Sequence, residues 1–538
     1  MKRMVTKDWL RALILISLSL LYLYLLATPI NLATADLGRF IKNGELIFSG
    51  NFEILTKNFY SYTYPDFPFV NHHWGTGALF YLFYQGLGFT GLSLIFSSIS
   101  LVTFLLFFST ALSKSNFYIS LLVSIILLPL LVYRNEIRPE MFSYLFMGIF
   151  LWALNKYIED KISSTKLFLL SFTSLIWINL HIFFFFGLFL IGVFFVESLA
   201  DWLVNKTPEA LKKIKSLGFL GIVSLVLSFL NPAGVEGVLH PLRIYGNYGY
   251  RVLEEQSIPF LDKVIQLPVL IYFKLALGLL ILSWVVWIYL LGRRYFKEKF
   301  SARGILKNIL ENRKITDLSL SAVFAYLGWI MLRNFTISAL FFLPIIASNL
   351  KDLRPGEYTK SEFSKYLIIP AAAVLFIFLL VLSPGYWENR PSGIGLMPGV
   401  ERAGEFFKEN SLKGPIFNNY DIGGYLIYFL YPKEKVFVDN RPEVYPADFF
   451  TKTYIPMQED QQIWEAKSKE YNFNSIFFYR QDLTPWAQKF LIARVKDPGW
   501  AAVFVDNYNI IFLKRNEQNM ELIRKYELPK EMFKANRD

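Results

Sequence analysis

The stretch Trp9-Leu-Arg-Ala-Leu-Ile-Leu-Ile-Ser-Leu-Ser-Leu-Leu-Tyr-Leu-Tyr-Leu-Leu-Ala-Thr28 decides the fold. It is apolar over a length that crosses a hydrocarbon core of about 30 Å. Lys2, Arg3 and Lys7 precede it, and it lacks a cleavage site of the Ala-x-Ala kind. It therefore reads as a retained span with a cytoplasmic N-terminus, not a cleaved signal. Comparable runs lie near Gly91–Leu112, Phe117–Tyr133, Met141–Tyr157, Leu167–Leu180, Phe183–Leu203, Leu217–Leu230, Pro268–Leu291, Leu318–Leu332, Phe335–Asn349 and Leu367–Leu382. The expected fold is a polytopic α-helical membrane protein of about 11 spans.

Composition agrees. Of the 538 residues, 54% are hydrophobic and 18% charged, against about 25% charged in a soluble chain. A soluble enzyme and a disordered chain are excluded. So is a nucleic-acid partner, because the net charge of +12 is spread through short loops between apolar runs. The absence of cysteine removes disulfides, thiolate nucleophiles and Cys-ligated metals. Only four histidines are present, which argues against a His-rich metal centre. The 53 Phe, 31 Tyr and 12 Trp suit a lipid-facing surface with interfacial belts.

Charge sets the topology. The inner loops of this arrangement carry about 23 Lys/Arg in about 73 residues and the outer ones about 9 in about 105, as the positive-inside rule expects. If the short apolar stretch Thr76–Leu87 also crossed, the basic Arg293–Lys314 loop would move outside, so that stretch is placed in the outer interface. Residues 1–383 form the membrane domain, with a large first outer loop (29–90) and a second long one from Asn231 to Leu267. Residues 384–538 change character. Strands are expected at Pro415–Asn418, Lys435–Asp439, Ser475–Tyr479, Ala501–Val505 and Asn509–Leu513. Helices are expected at Val400–Glu409, Gly424–Leu430, Ile463–Tyr471 and Pro485–Ala493. The alternation predicts a small extracytoplasmic α/β domain, near Leu396–Arg515, that folds independently, followed by a C-terminal tail.

Polar groups near a membrane are costly, so their side is informative. All four histidines, His72, His73, His181 and His240, fall on the outer face, with Asp36, Arg138, Glu140, Asn231, Arg243, Arg251 and Arg333. Asp36, in Asn31-Leu-Ala-Thr-Ala-Asp36-Leu-Gly38-Arg39, is either the N-cap of an interfacial helix over Leu37–Ile47 or a general base acting on an acceptor hydroxyl. If it is only a cap, the base is to be sought at Glu45, Glu53, Asp66 or Glu140. The aromatic run Asn58–Pro65 and Asn71-His72-His73-Trp74 are either a belt with a helix cap or a wall for sugar and phosphate. Arg138, in the short turn Arg134–Glu140, and His181 pair within the bundle or meet a lipid-borne phosphate. Asn231-Pro232 breaks a helix, with His240 and Arg243 beyond it. Arg333, between two apolar helices, snorkels or binds an anion.

These features together resemble the GT-C superfamily of integral-membrane glycosyltransferases, including protein mannosyltransferases and the aminoarabinose transferase. The resemblance rests on Asp36 early in a large first outer loop, His72-His73-Trp74 before the next helix, the turn Arg138-Pro139-Glu140 and an extracytoplasmic C-terminal domain. The runs Phe417–Tyr425 and Val436–Glu443 are similar to those of bacterial members. Where such enzymes often carry paired acids and a Pro-Pro pair, this chain has one early acid and Asn71-His72-His73, and it has no Trp-Trp-Asp-Tyr-Gly segment, so the oligosaccharyltransferase subgroup is not expected.

The resemblance implies transfer of a sugar from a polyprenyl-phosphate donor to an acceptor hydroxyl on a protein, lipid or glycan, with inversion, at the outer face of the plasma (inner) membrane. Asp36 would be the base. Arg138, His72, His73, His181, Arg333 and Arg251 would hold donor phosphate and sugar, supported by Glu140, Trp74, Asn231 and His240. No cofactor is expected, and a divalent metal is not favoured. Two other readings stay open: a lipid or glycan flippase or transporter, with mid-bilayer ionisable groups and two similar halves, and a non-catalytic glycan-binding assembly protein.

Overall fold

The computed structural model describes residues 2–244, 246–265, 267–298, 301–352, 368–388 and 390–533. Leu367, the expected start of the last span, and 534–538, the end of the expected tail, lie outside the described residues. Each expected span coincides with a helix. Among the described residues, five helices are long and apolar enough to cross a membrane: Trp9–Leu26, Trp74–Lys114, Glu140–Ile158, Ile182–Asn205 and Val269–Phe296. Shorter apolar helices cover Phe117–Leu131 and Ser164–Leu180. The chain is a membrane protein.

Local chemistry sets the helix ends. Asn116 accepts from the backbone N–H groups of Tyr118 and Ile119 to start Phe117–Leu131. Thr207 caps Pro208–Ser228, with proline at its first position, so this helix begins well before the expected Leu217. Gly88, at φ 61°, breaks Trp74–Lys114 and separates its first turns from the apolar remainder. Those first turns are the Thr76–Leu87 segment expected outside the bilayer.

Trp9, Leu13, Ile16, Leu20 and Tyr24 on the first helix remain exposed, as do Ile271, Leu275, Leu282, Val285 and Tyr289 on Val269–Glu298. The three-to-four spacing makes each set one face, which lipid covers. Inside the bundle Phe324 stacks on Phe341 at 3.7 Å and Phe273 on Phe335 at 4.3 Å. At one end of the bundle, Asp317, fully buried, pairs with Lys114 at 2.7 Å and Lys314 at 3.3 Å. Lys314 also donates to Asn349 at 2.6 Å, so this charge set joins the ends of three helices.

The opposite end carries the long connectors and the sheet. Strands β1 (Ile416–Asn418), β2 (Ser475–Tyr479), β3 (Trp500–Val505) and β4 (Asn509–Lys514) form a sheet of order β1-β2-β4-β3. β1 is parallel to β2; β4 is antiparallel to β2 and β3. Helices Arg402–Glu409, Gly423–Leu430, Gln461–Glu470 and Ala487–Lys496 match the expected set.

The expected strand Lys435–Asp439 is not in the sheet. The side chain of Asn418 takes its place beside β1, accepting from Phe437 N at 2.9 Å and donating to Val438 O at 2.7 Å. The segment pairs instead with the first connector: Val436 N donates to Tyr60 O and Tyr62 N to Val436 O, both at 3.1 Å. The sheet domain has a core of its own around Phe417, Trp464, Phe478 and Phe490, and it also packs on the membrane domain. One hydrophobic cluster runs from Leu18 and Tyr22 of the first helix through Phe40 to Leu426 and Phe477. The aromatic run is used in this junction: Tyr62 packs on Phe437 at 6.0 Å and Tyr64 on Phe449 at 5.3 Å.

Helix Leu37–Phe48 lies between the start of Trp74–Lys114 and helix Gly423–Leu430. Two glycines permit this. A methyl group on Gly44 would lie 2.2 Å from Gly77 O, and one on Gly38 2.9 Å from Tyr428 Cβ.

Candidate active site at the membrane–domain junction

Asp36 immediately precedes helix Leu37–Phe48, yet its side chain makes no cap hydrogen bond. Its Oδ1 accepts from Arg39 at 3.2 Å and from the amide of Asn440, and its Oδ2 lies 3.5 Å from Arg138 Nη1. Arg39 Nε also donates to Asn440 at 3.2 Å. Thus Oδ1 is tied into the junction with the sheet domain, while Oδ2 faces the arginine turn.

That turn holds a dense charge set. Arg134 pairs with Glu140 and, at 2.6 Å, with Glu254. Arg138 pairs with Glu136 at 2.6 Å and Glu254 at 3.0 Å. Arg333 pairs with Glu254 at 2.9 Å and Glu255 at 2.8 Å. Burial raises the Glu254 carboxyl, but the three guanidinium groups outweigh it and hold it well below the usual carboxylate range. Beneath this set a narrow cleft runs between helices, lined by Tyr22, Phe96, Leu131 and Met141 and bounded by Arg134 and Glu140.

All four imidazoles form one contiguous group. His72 and His73 lie 3.7 Å apart by ring centre, His72 and His240 4.8 Å, and His73 and His181 5.2 Å. Ser143 Oγ is 2.7 Å from His181 Nδ1 and accepts from Trp177 Nε1 at 2.7 Å. Burial, with neighbouring imidazoles, pushes His72 and His73 well below the ordinary histidine value; burial takes His181 down to about 4. These rings are neutral at pH 7.

Other expected residues lie elsewhere. Trp74 donates to Asn179 at 2.9 Å, holding the start of its helix. Asn231 caps its own turn, donating to Ser228 O and Gly234 O, each at 2.9 Å. Arg251 is exposed over the ring of Phe260 at 5.7 Å, outside the arginine set. Glu45 pairs with Lys42 at 2.7 Å and the exposed Asp66 with Lys57 at 3.2 Å.

Sequence reasoning passed over Arg134, Glu254, Asn440 and Asp421. Asp421 lies across the junction, near enough for Asp36 to act on it. Burial first, then the charges of Asp482 and Asp36, push its carboxyl up to about 7. The Glu254-Glu255 pair was the visible signal, an acidic doublet in an otherwise unexplained long connector.

No family model and no curated protein matches the sequence. Among solved structures, the chain is similar to the oligosaccharyltransferase of Archaeoglobus fulgidus tethered through a disulfide bond to an acceptor peptide containing the NVT sequon. The identity is 10% over 95% of this chain and 75% of that one, with a TM-score of 0.55. The same enzyme in complex with Zn and sulfate gives 11% identity over 93% and 73%, with a TM-score of 0.51. The likeness is one of fold.

Proposed function

We propose that this protein is a membrane glycosyltransferase that moves a sugar from a polyprenyl-phosphate donor to an acceptor hydroxyl, with inversion, at the outer face of the plasma membrane. The observation that supports it is the meeting of Asp36 with the arginine turn beside an apolar cleft. The arginines suit the donor's phosphate, and the narrow cleft's apolar wall of Tyr22, Phe96, Leu131 and Met141 lies where the lipid next to that phosphate would run. Asp36 Oδ2 takes the proton of the acceptor hydroxyl, and the acceptor oxygen bonds to the anomeric carbon as the bond from that carbon to the phosphate oxygen breaks. The leaving phosphate gains charge opposite guanidinium groups, where fixed cations lower the barrier.

Asp36 itself faces two guanidinium groups, a setting that repels a divalent cation, so no metal enters this scheme. The buried Lys114–Asp317–Lys314 set sits at helix ends, not mid-helix, and gives the transporter reading no support. The acceptor lies within reach of the sheet domain, which we place outside the cell as 384–538, with the membrane domain as 1–383. Mass spectrometry of envelope glycans from cells with and without the gene tests the reading. A missing or truncated glycan is expected. An unchanged profile, with retained glycan binding, would favour the non-catalytic alternative.

A further inference from the structure

Glu254 is held in an unusual way. Three guanidinium groups from two inter-helix turns, Arg134 and Arg138 from one and Arg333 from the other, converge on this one carboxylate at 2.6, 3.0 and 2.9 Å. Glu254 is remote from all three in sequence and belongs to the short turn Leu253–Glu255, in which Leu253 is exposed and Glu254 is half-buried. The other acids of the site are fixed differently. Glu136 and Glu140 share the turn of the arginines they bind, and Asp36 is tied to Arg39 and Asn440.

The charge balance makes this a functional matter. Arg39, Arg134, Arg138 and Arg333 face Asp36, Glu136, Glu140, Glu254 and Glu255, so carboxylates outnumber cations in the set. A phosphate added to it meets net negative charge and guanidinium groups already engaged. Carboxylate and phosphate use the same guanidinium geometry. Glu254 touches all three arginines, so its departure opens one position on each while Glu140, Glu136 and Glu255 keep theirs.

We infer that Glu254 is an internal counter-ion occupying the phosphate site, and that a lipid-borne phosphate binds the three arginines by displacing it. The inference rests on the donor proposed above and adds to it an exchange of ligands. The segment that carries Glu254 away has an identifiable path. Gly249, at φ +76°, precedes it, and Tyr250 is stacked at 4.2 Å on Tyr420 of the sheet domain. Tyr420 adjoins Asp421. Displacement of Glu254 is thereby felt at the junction where the acceptor arrives, which couples donor occupancy to the acceptor side.

The test uses the full chain in nanodiscs and radiolabelled undecaprenyl phosphate as probe. Removing the competing charge with Glu254→Gln is expected to tighten binding about tenfold, within the usual range of couplings between sites. Arg138→Ala and Arg333→Ala weaken it in either background. A spin-label pair at Asn247→Cys and Lys489→Cys, simple to place in a chain without cysteine, reports the connector; its distance changes when undecaprenyl phosphate binds the otherwise native protein. This second readout stands even if Glu254→Gln does not fold. Equal or weaker binding by a folded Glu254→Gln variant, or an unmoved label at saturating lipid, overturns the displacement. If the native chain binds, and Arg138→Ala does not, the donor reading survives that result. If neither native protein nor Glu254→Gln binds, both fall. Inorganic phosphate is expected to leave the label unmoved; a response equal to that of the lipid overturns the lipid as the source.

Discussion

Asp36→Asn separates chemistry from architecture because the two losses differ in size. Asn keeps the Oδ1 acceptor for Arg39 and Asn440, and since Asp36 makes no cap hydrogen bond, no capping energy is lost. What disappears is the charge facing Arg39 at 3.2 Å and Arg138 at 3.5 Å, on a side chain that is 18% exposed. Partly hydrated pairs of this kind contribute about 1 kcal/mol. A base is another matter, for a neutral amide accepts no proton near pH 7. Loss of general-base help slows reactions by about 10²–10⁴, or about 3–5 kcal/mol in the barrier. The assay is sugar transfer from a synthetic polyprenyl-phosphate sugar by native and variant protein in nanodiscs, at temperatures well below both unfolding midpoints. The variant is expected to bind donor within a few-fold of native and to turn over at least about 100-fold more slowly. Turnover within about threefold of native would refute the reasoning and leave Asp36 a counter-ion. Asp421, with its carboxyl pushed up to about 7, would then be the next candidate.

Gly44→Ala puts a methyl group 2.2 Å from Gly77 O, a backbone atom that cannot rotate away. It is expected to cost about 1–3 kcal/mol and to reduce transfer by shifting the helix that follows Asp36, whereas Gly86→Ala, with open space around it, is neutral or stabilising in thermal unfolding. Folding lowers the His181 pKa to about 4, so the unfolded chain binds more protons below the ordinary value of about 6.5. Stability contributed by the neutral ring is thus complete above that value and lost as pH falls through the window toward 4, by at most about 3 kcal/mol. Unfolding midpoints measured between pH 7 and 4 are expected to fall, and His181→Gln to flatten the decline; an unchanged slope contradicts the burial argument. For orientation, a membrane-impermeant maleimide should label Lys489→Cys in intact cells and Lys307→Cys only after lysis, and the reverse pattern would overturn the topology.

Local residues made part of this legible. Arg138 and Arg333 stand in turns too short to hide a charge between apolar helices, so an anion-facing role could be read from position alone. The four histidines were placed on one face, though nothing in their spacing showed that they touch. What escaped was set by contacts far apart in sequence. Asn440 reaches Asp36 across 404 positions, and Glu254 reaches Arg134 across 120. Lys435–Asp439 alternates as a strand should, and its backbone does pair, but with the first connector, because Asn418 already satisfies its other edge. Arg251 and Asn231 are polar residues of the same long connector as Glu254, and only folding tells them apart. One lies over Phe260 and the other closes a turn.

Sugar transfer is read by giving purified protein a polyprenyl-phosphate sugar labelled in the sugar, with acceptor extracted from the envelope and with chelator present. Label is expected in the acceptor, with an equal amount of free polyprenyl phosphate, an inverted anomeric centre by NMR, and no effect of the chelator. Intact donor at all times, across a panel of donor sugars and with the protein folded, would contradict the proposed transfer.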